Sequence, residues 1–158
     1  MKSVKCLFMI LTLLFPSLSL AWQGKVVGVS DGGTLTVMHE GRGEKIRLYG
    51  IDCPEKHQDF GTKAKKFTSS MAYEKLVAVE SVTQDRYGRS VALVKVTGQS
   101  LNEELLKAGL AWVYIRYCDK PLCNEWLKYK ERARQRKSGL WSLPNPIPPW
   151  EFRRAKKR

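Results

Sequence analysis

The sequence predicts an α+β domain, a five-stranded OB-type β-barrel with three α-helices. Three observations carry that expectation. Apolar residues recur at a spacing of two through five short segments, the period of a half-buried strand. The period changes to that of a helix in three places, near Phe60, after Ser100 and after Leu122. The helices follow the third strand, the fifth strand and, at the C-terminus, the last extended segment, an order that suggests a small closed barrel.

Residues 1–21 stand apart from that domain. Lys2 and Lys5 precede an apolar run from Cys6 to Phe15, and Ser19-Leu20-Ala21 offers small residues at both positions a signal peptidase reads. This reads as a secretory signal, too short to span a membrane comfortably. A retained membrane anchor is the competing reading. Cleavage after Ala21 gives a secreted or periplasmic protein beginning at Trp22, expected to be a monomer without stable membrane association.

Lys25–Val29, Thr34–His39 and Lys45–Tyr49 read as the first three strands, divided by turn signals at Asp31-Gly32-Gly33 and Glu40-Gly41-Arg42-Gly43. Ile46 and Leu48 share one face, so Arg47 points to the other. Phe60, Ala64, Phe67 and Met71 mark one face of the first helix. Strands return at Val77–Val82 and Val91–Val96. Ser100 and Glu103 form a capping-box pattern for the second helix, which Gly109 stops. Ala111–Tyr114 reads as extended, and Leu122, Trp126, Tyr129 and Ala133 trace the third helix. The domain is expected to run from 22 to 142. Residues 143–158 hold the run Pro144-Asn-Pro-Ile-Pro-Pro149 and the cluster Arg153-Arg154-Ala-Lys-Lys-Arg158. They read as an extended, mobile, basic tail.

The formal charge is +13, and +11 once Lys2 and Lys5 leave with the signal. An excess of that size favours polyanions. Cys6 also leaves. Of the remaining cysteines, Cys118 and Cys123 bracket a turn and form the expected disulfide in an oxidising compartment. No second cysteine pair or histidine cluster completes four zinc ligands. His39 and His57 are isolated in sequence and read as surface residues. Cys53 is the odd thiol, without an evident His–acid pair to activate it.

The chemistry concentrates in Arg47-Leu-Tyr-Gly-Ile-Asp52-Cys-Pro-Glu55 and, further on, Asp85-Arg86-Tyr87-Gly88-Arg89. Phosphodiester hydrolysis needs carboxylate oxygen for a hard cation, a base for water, and guanidinium groups for phosphoryl oxygens. Both segments hold those residue types. Upstream, Ser30-Asp31-Gly32-Gly33-Thr34 has glycine where a second metal-binding carboxylate would be useful.

These segments, with Leu106-Lys-Ala-Gly-Leu-Ala111 and Gly139-Leu-Trp141, give the chain a resemblance to the staphylococcal-nuclease-type thermonucleases from about Gly24 to Trp141. The resemblance implies a calcium-dependent endonuclease that hydrolyses DNA and RNA to 3′-phosphate products. It implies Arg47 and Arg89 as the phosphate clamp, Glu55 as general base, and Asp52 with the Cys53 backbone carbonyl as calcium ligands. Tyr87 would support Arg89. Gly33 departs from the family's Asp-Gly-Asp-Thr pattern and marks the position of a missing carboxylate ligand. The alternative expectation is a non-catalytic nucleic-acid-binding module of the same fold.

Overall fold

The computed structural model describes residues 21–157, so the expected signal peptide lies outside the described residues except for Ala21. Strands β1 (Trp22–Asp31), β2 (Thr34–His39) and β3 (Arg42–Leu48) form an antiparallel meander. After the short β4 (Ile51–Asp52) and helix α1 (Gly61–Ala72), β5 (Leu76–Gln84) pairs with β1 and β6 (Ser90–Val96) pairs with β5. The barrel closes where β6 runs parallel to β3, with Arg47 opposite Val91. Closure leaves the five long strands without a free sheet edge among themselves, which is why so small a barrel is stable against strand addition.

The two-residue β7 (Gln99–Ser100) leads into α2 (Leu101–Lys107), followed by β8 (Trp112–Val113) and α3 (Leu122–Gln135). Val26, Leu35, Val37, Ile46, Val79 and Val94 fill the barrel and are all fully buried. Their alternation along each strand is the spacing of two visible in the sequence. Ser100 caps α2 by accepting a hydrogen bond from Glu103 N at 3.3 Å. The Glu103 carboxylate turns to Trp126 Nε1 on α3, tying the two helices together. Asn102, buried at the start of α2, accepts from Val94 N and donates to Tyr49 O. It satisfies two barrel backbone groups that would otherwise be stranded.

Two helices differ from the expected stripes by about one residue. The fully buried side of α1 is Ala64, Thr68 and Ala72, with Phe60, Phe67 and Met71 flanking it half-buried. Thr68 belongs inside because its Oγ1 donates to Gly32 O at 2.7 Å. In α3 Cys123 takes the inner place beside Trp126 and Ala133, because it is bonded to Cys118.

The larger correction concerns residues 143–158. They were expected to be extended and mobile, but a fourth helix, α4 (Pro149–Ala155), forms and docks on the domain. Pro149 occupies its first turn, where a missing N–H costs nothing, Glu151 follows at the positive end, and Arg153 and Arg154 lie at the negative end. The prolines therefore start a helix here, although they could not continue one. Pro149 is buried, and Trp150 stacks on Tyr114 (centroids 4.9 Å apart, planes 8° apart) and meets Trp112 edge-on.

Candidate active site

The site lies where the chain leaves the barrel after β3. Gly50 has a positive φ of 66°, and a Cβ there would fall 2.6 Å from Cys118 Sγ. Glycine thus allows the sharp turn that aims β4 at β8, where Asp52 pairs with Trp112. The Cys118–Cys123 disulfide and the Tyr49 hydroxyl hold the facing loop. Tyr49 donates to Asp119 Oδ1 and accepts from the backbone N–H groups of Asp119 and Lys120. Gln58 then fixes the loop carrying Glu55: Gln58 N donates to Glu55 O at 2.9 Å and Gln58 Oε1 accepts from Glu55 N at 3.1 Å.

Arg47, Asp52 and Glu55 converge at this exit. Arg47 Nη2 donates to Asp52 Oδ1, and its Nη1 lies 4.0 Å from Asp31 Oδ1. Burial alone would lower the Arg47 pKa, but the neighbouring Asp52 and Asp31 outweigh it and raise it, so the guanidinium stays charged. Asp52 is fully buried, and a carboxylate so placed is tolerable only with cationic partners.

The second partner was not foreseen. Arg153 of α4 donates from Nη2 to Asp52 Oδ2 at 2.8 Å and from Nη1 to Glu55 Oε1 at 2.5 Å. Burial pulls the Arg153 pKa down, but its hydrogen bonds to Asp52 and Glu55 prevail and raise it. The cluster is thus an alternating row of charges, Asp31, Arg47, Asp52, Arg153 and Glu55. The only sequence signals for Arg153 were the Pro-Pro helix start and the basic residues one turn later. Nothing local tells that it reaches a carboxylate 101 positions away.

Arg89 sits in the turn before β6, beside the strand carrying Arg47. Its Nε donates to Asp85 Oδ2 at 2.7 Å, and its guanidinium lies over the Tyr87 ring at 5.5 Å. Asp85 also accepts from the backbone N–H groups of Tyr87 and Arg89. Burial raises the Asp85 pKa, and these hydrogen bonds more than reverse that and hold it below the ordinary 3.8. The turn is therefore a preformed mount for Arg89, held on Asp85 within its own turn, and Tyr87 is exposed beside it.

Gly33 lies against the same cluster. Its N–H donates to Asp31 Oδ1 at 2.8 Å, its carbonyl accepts from Leu48 N, and its φ is outside the left-handed region. A Cβ at this position would meet Arg47 Nη1 at 3.1 Å. The backbone therefore aims a side chain at the cluster, and glycine withholds it. Cys53 is buried and its thiol pKa is pushed up by burial, which removes it as a nucleophile at neutral pH. His57 lines a groove with Pro54, Trp112 and Phe152, while His39 stacks on Trp22 and contacts Glu44 at the end of β2 and β3 away from Arg47.

Residues 45–143 match the family model described as staphylococcal nuclease homologue, and this span contains Arg47, Asp52, Glu55 and Arg89. The chain belongs to the staphylococcal nuclease family. It is 40% identical over 158 residues to an uncharacterized endonuclease of Haemophilus influenzae, covering 97% of this chain and 87% of that protein. It is 39% identical over 143 residues to an uncharacterized endonuclease of Escherichia coli O157:H7, covering 90% of this chain and 92% of the relative. It is 35% identical over 149 residues to a micrococcal nuclease of Shigella flexneri, covering 87% and 85%. Helix α4 lies beyond the span that the family model matches.

The donor set suits a hard cation. Asp52 and Glu55 already enclose a cationic group, the Arg153 guanidinium, and both offer carboxylate oxygen. Among the described residues no group of three or more His, Cys, Asp or Glu side chains is gathered as a ligand cluster. A cation held here would need backbone carbonyl, water or substrate to complete its shell.

Proposed function

We propose that this chain is a calcium-dependent endonuclease that cleaves DNA and RNA to 3′-phosphate products after export. The observation that carries the reading is the convergence of Arg47, Asp52 and Glu55 at the barrel exit, in a chain of this family. Asp52 and the Cys53 carbonyl would hold the calcium ion, which would supply positive charge to the phosphodiester and to an attacking water. Glu55 lies at the open side of the cluster, with its side chain 38% exposed, and takes the proton from water as it attacks phosphorus. Arg47 and Arg89 hold the phosphoryl oxygens and stabilise the charge that grows on them. The 5′ oxygen leaves and the phosphate stays on the 3′ side.

The Cys118–Cys123 disulfide supports export, because such bonds persist in oxidising compartments. The basic composition supports a nucleic-acid substrate and a monomer that meets it by electrostatic steering. Single-stranded DNA and RNA incubated with calcium or with a chelator, followed by end-group analysis, test the reading. Products with 3′-phosphate and 5′-hydroxyl ends, formed only with calcium, are expected. Products with 5′-phosphate ends, or equal cleavage in chelator, would contradict it.

A second reading, a nucleic-acid-binding module without catalysis, is favoured by one observation. Gly33 gives no oxygen to the cluster, and both remaining carboxylates are engaged by arginine. Tight binding of DNA by a folded protein that cuts neither substrate would select it.

A further inference from the structure

Arg153 holds the two carboxylates that the proposed reaction requires. One guanidinium spans Asp52 Oδ2 and Glu55 Oε1. A divalent cation held at Asp52 on the Glu55 side would occupy the space this guanidinium fills, and two cations so close repel each other. The base is engaged as well: Glu55 Oε1 is turned to Arg153 rather than to water.

The helix bearing Arg153 is docked on the domain. Trp150 is stacked on Tyr114 and set edge-on against Trp112, Pro149 is buried, and Gln58 Nε2 donates to Ile147 O at 2.6 Å just before the helix. Gln58 is also the residue that fixes the Glu55 loop, so the strap and the catalytic loop share one anchor. The Arg153 side chain is 40% exposed, so solvent and ions reach it from the open side.

We propose that α4 is a strap that closes the catalytic site, with Arg153 occupying the cation position between Asp52 and Glu55, so that calcium binding and strap closure exclude each other. The proposal rests on the calcium-dependent reading above. Closure also meets a need specific to this chain. Asp52 is fully buried, and with neither a bound cation nor Arg153 it would keep, among the described residues, Arg47 as its guanidinium partner. Arg153 neutralises the site until calcium arrives, then gives way.

If the strap is closed nine-tenths of the time, calcium binds about tenfold more weakly than to an open site. Calorimetric titration of the full chain with calcium alone, comparing wild type with Arg153→Ala, reads this ratio directly. Arg153→Ala is expected to bind calcium about tenfold more tightly, and Arg153→Lys, a point charge without the fork, to fall between them. Should Arg153→Ala fail to fold, Arg153→Gln, neutral and still long enough to cover the groove, carries the same comparison. Calcium is also expected to speed hydrogen exchange at 149–155 in the wild type. Equal or weaker calcium binding by the neutral variants would overturn the strap while leaving the calcium reading intact. No calcium binding by any form would overturn both.

Discussion

Restoring a carboxylate at position 33 is the perturbation with the most specific structural expectation. The backbone at Gly33 is outside the left-handed region, so Gly33→Asp carries no conformational penalty of the kind glycine avoids. Its Cβ would sit 3.1 Å from Arg47 Nη1 and 3.7 Å from Cys53 Sγ. The first contact is with the far end of a flexible side chain, which needs to yield by only a few tenths of an ångström. The new carboxylate would then lie about 4 Å from the guanidinium, where attraction at an effective dielectric constant of about 20 is roughly 4 kcal/mol before desolvation. Arg47 is only 19% exposed, so desolvation removes most of that, leaving about 1 kcal/mol. For a domain of this size the melting temperature should rise by about 3–5 °C in calcium-free buffer. Calcium affinity should rise about tenfold, because a second anionic oxygen is worth about 1.4 kcal/mol on that scale. Scanning calorimetry reads the first and calcium titration the second. A lower melting temperature would show that Arg47 cannot yield. Unchanged calcium affinity would show that the site is organised around glycine, and the account of the cation position would fail.

Other perturbations separate the roles of the remaining residues. Arg47→Ala should lower cleavage at least ~100-fold and also destabilise the fold by about 2 kcal/mol, because the buried Asp52 keeps only Arg153; urea denaturation checks the second effect. Arg89→Ala should cost a similar factor in cleavage with little change in stability, since Arg89 is bound within its own turn; full activity in the folded variant would remove Arg89 from the site. Asp85 has a depressed pKa when folded, so its contribution is present above 3.8 and is lost as pH falls through the depressed value. The difference in melting temperature between wild type and Asp85→Asn should therefore be flat at neutral pH and shrink in acid. Cys53 should resist iodoacetamide in the native protein, and rapid alkylation measured by mass spectrometry would contradict its burial and raised pKa.

The barrel was legible because its information is local. Leu35 and Val37, or Ile46 and Leu48, alternate as the pleat demands, and Ser100 caps its helix as its sequence neighbours suggest. Arg47, Asp52 and Glu55 were legible for a related reason: a single short segment carries all three, so one turn brings them together. What escaped was long-range or exceptional. Thr68 is buried because it serves the Gly32 carbonyl, which no apolar stripe reveals. Prolines marked residues 143–158 as non-helical, yet Pro149 stands at the one helical position where proline is favoured. Arg153 looked like a tail charge because its partners, Asp52 and Glu55, lie on the opposite side of the sequence.

In the proposed reaction the Arg47, Asp52, Glu55 cluster hydrolyses phosphodiesters with the help of a cation. Initial rates on single-stranded DNA, for wild type and Glu55→Gln in calcium and in chelator, test it most directly. Cleavage by wild type in calcium alone is expected, with a loss of at least ~100-fold in folded Glu55→Gln. Equal rates for the two proteins in calcium would contradict it.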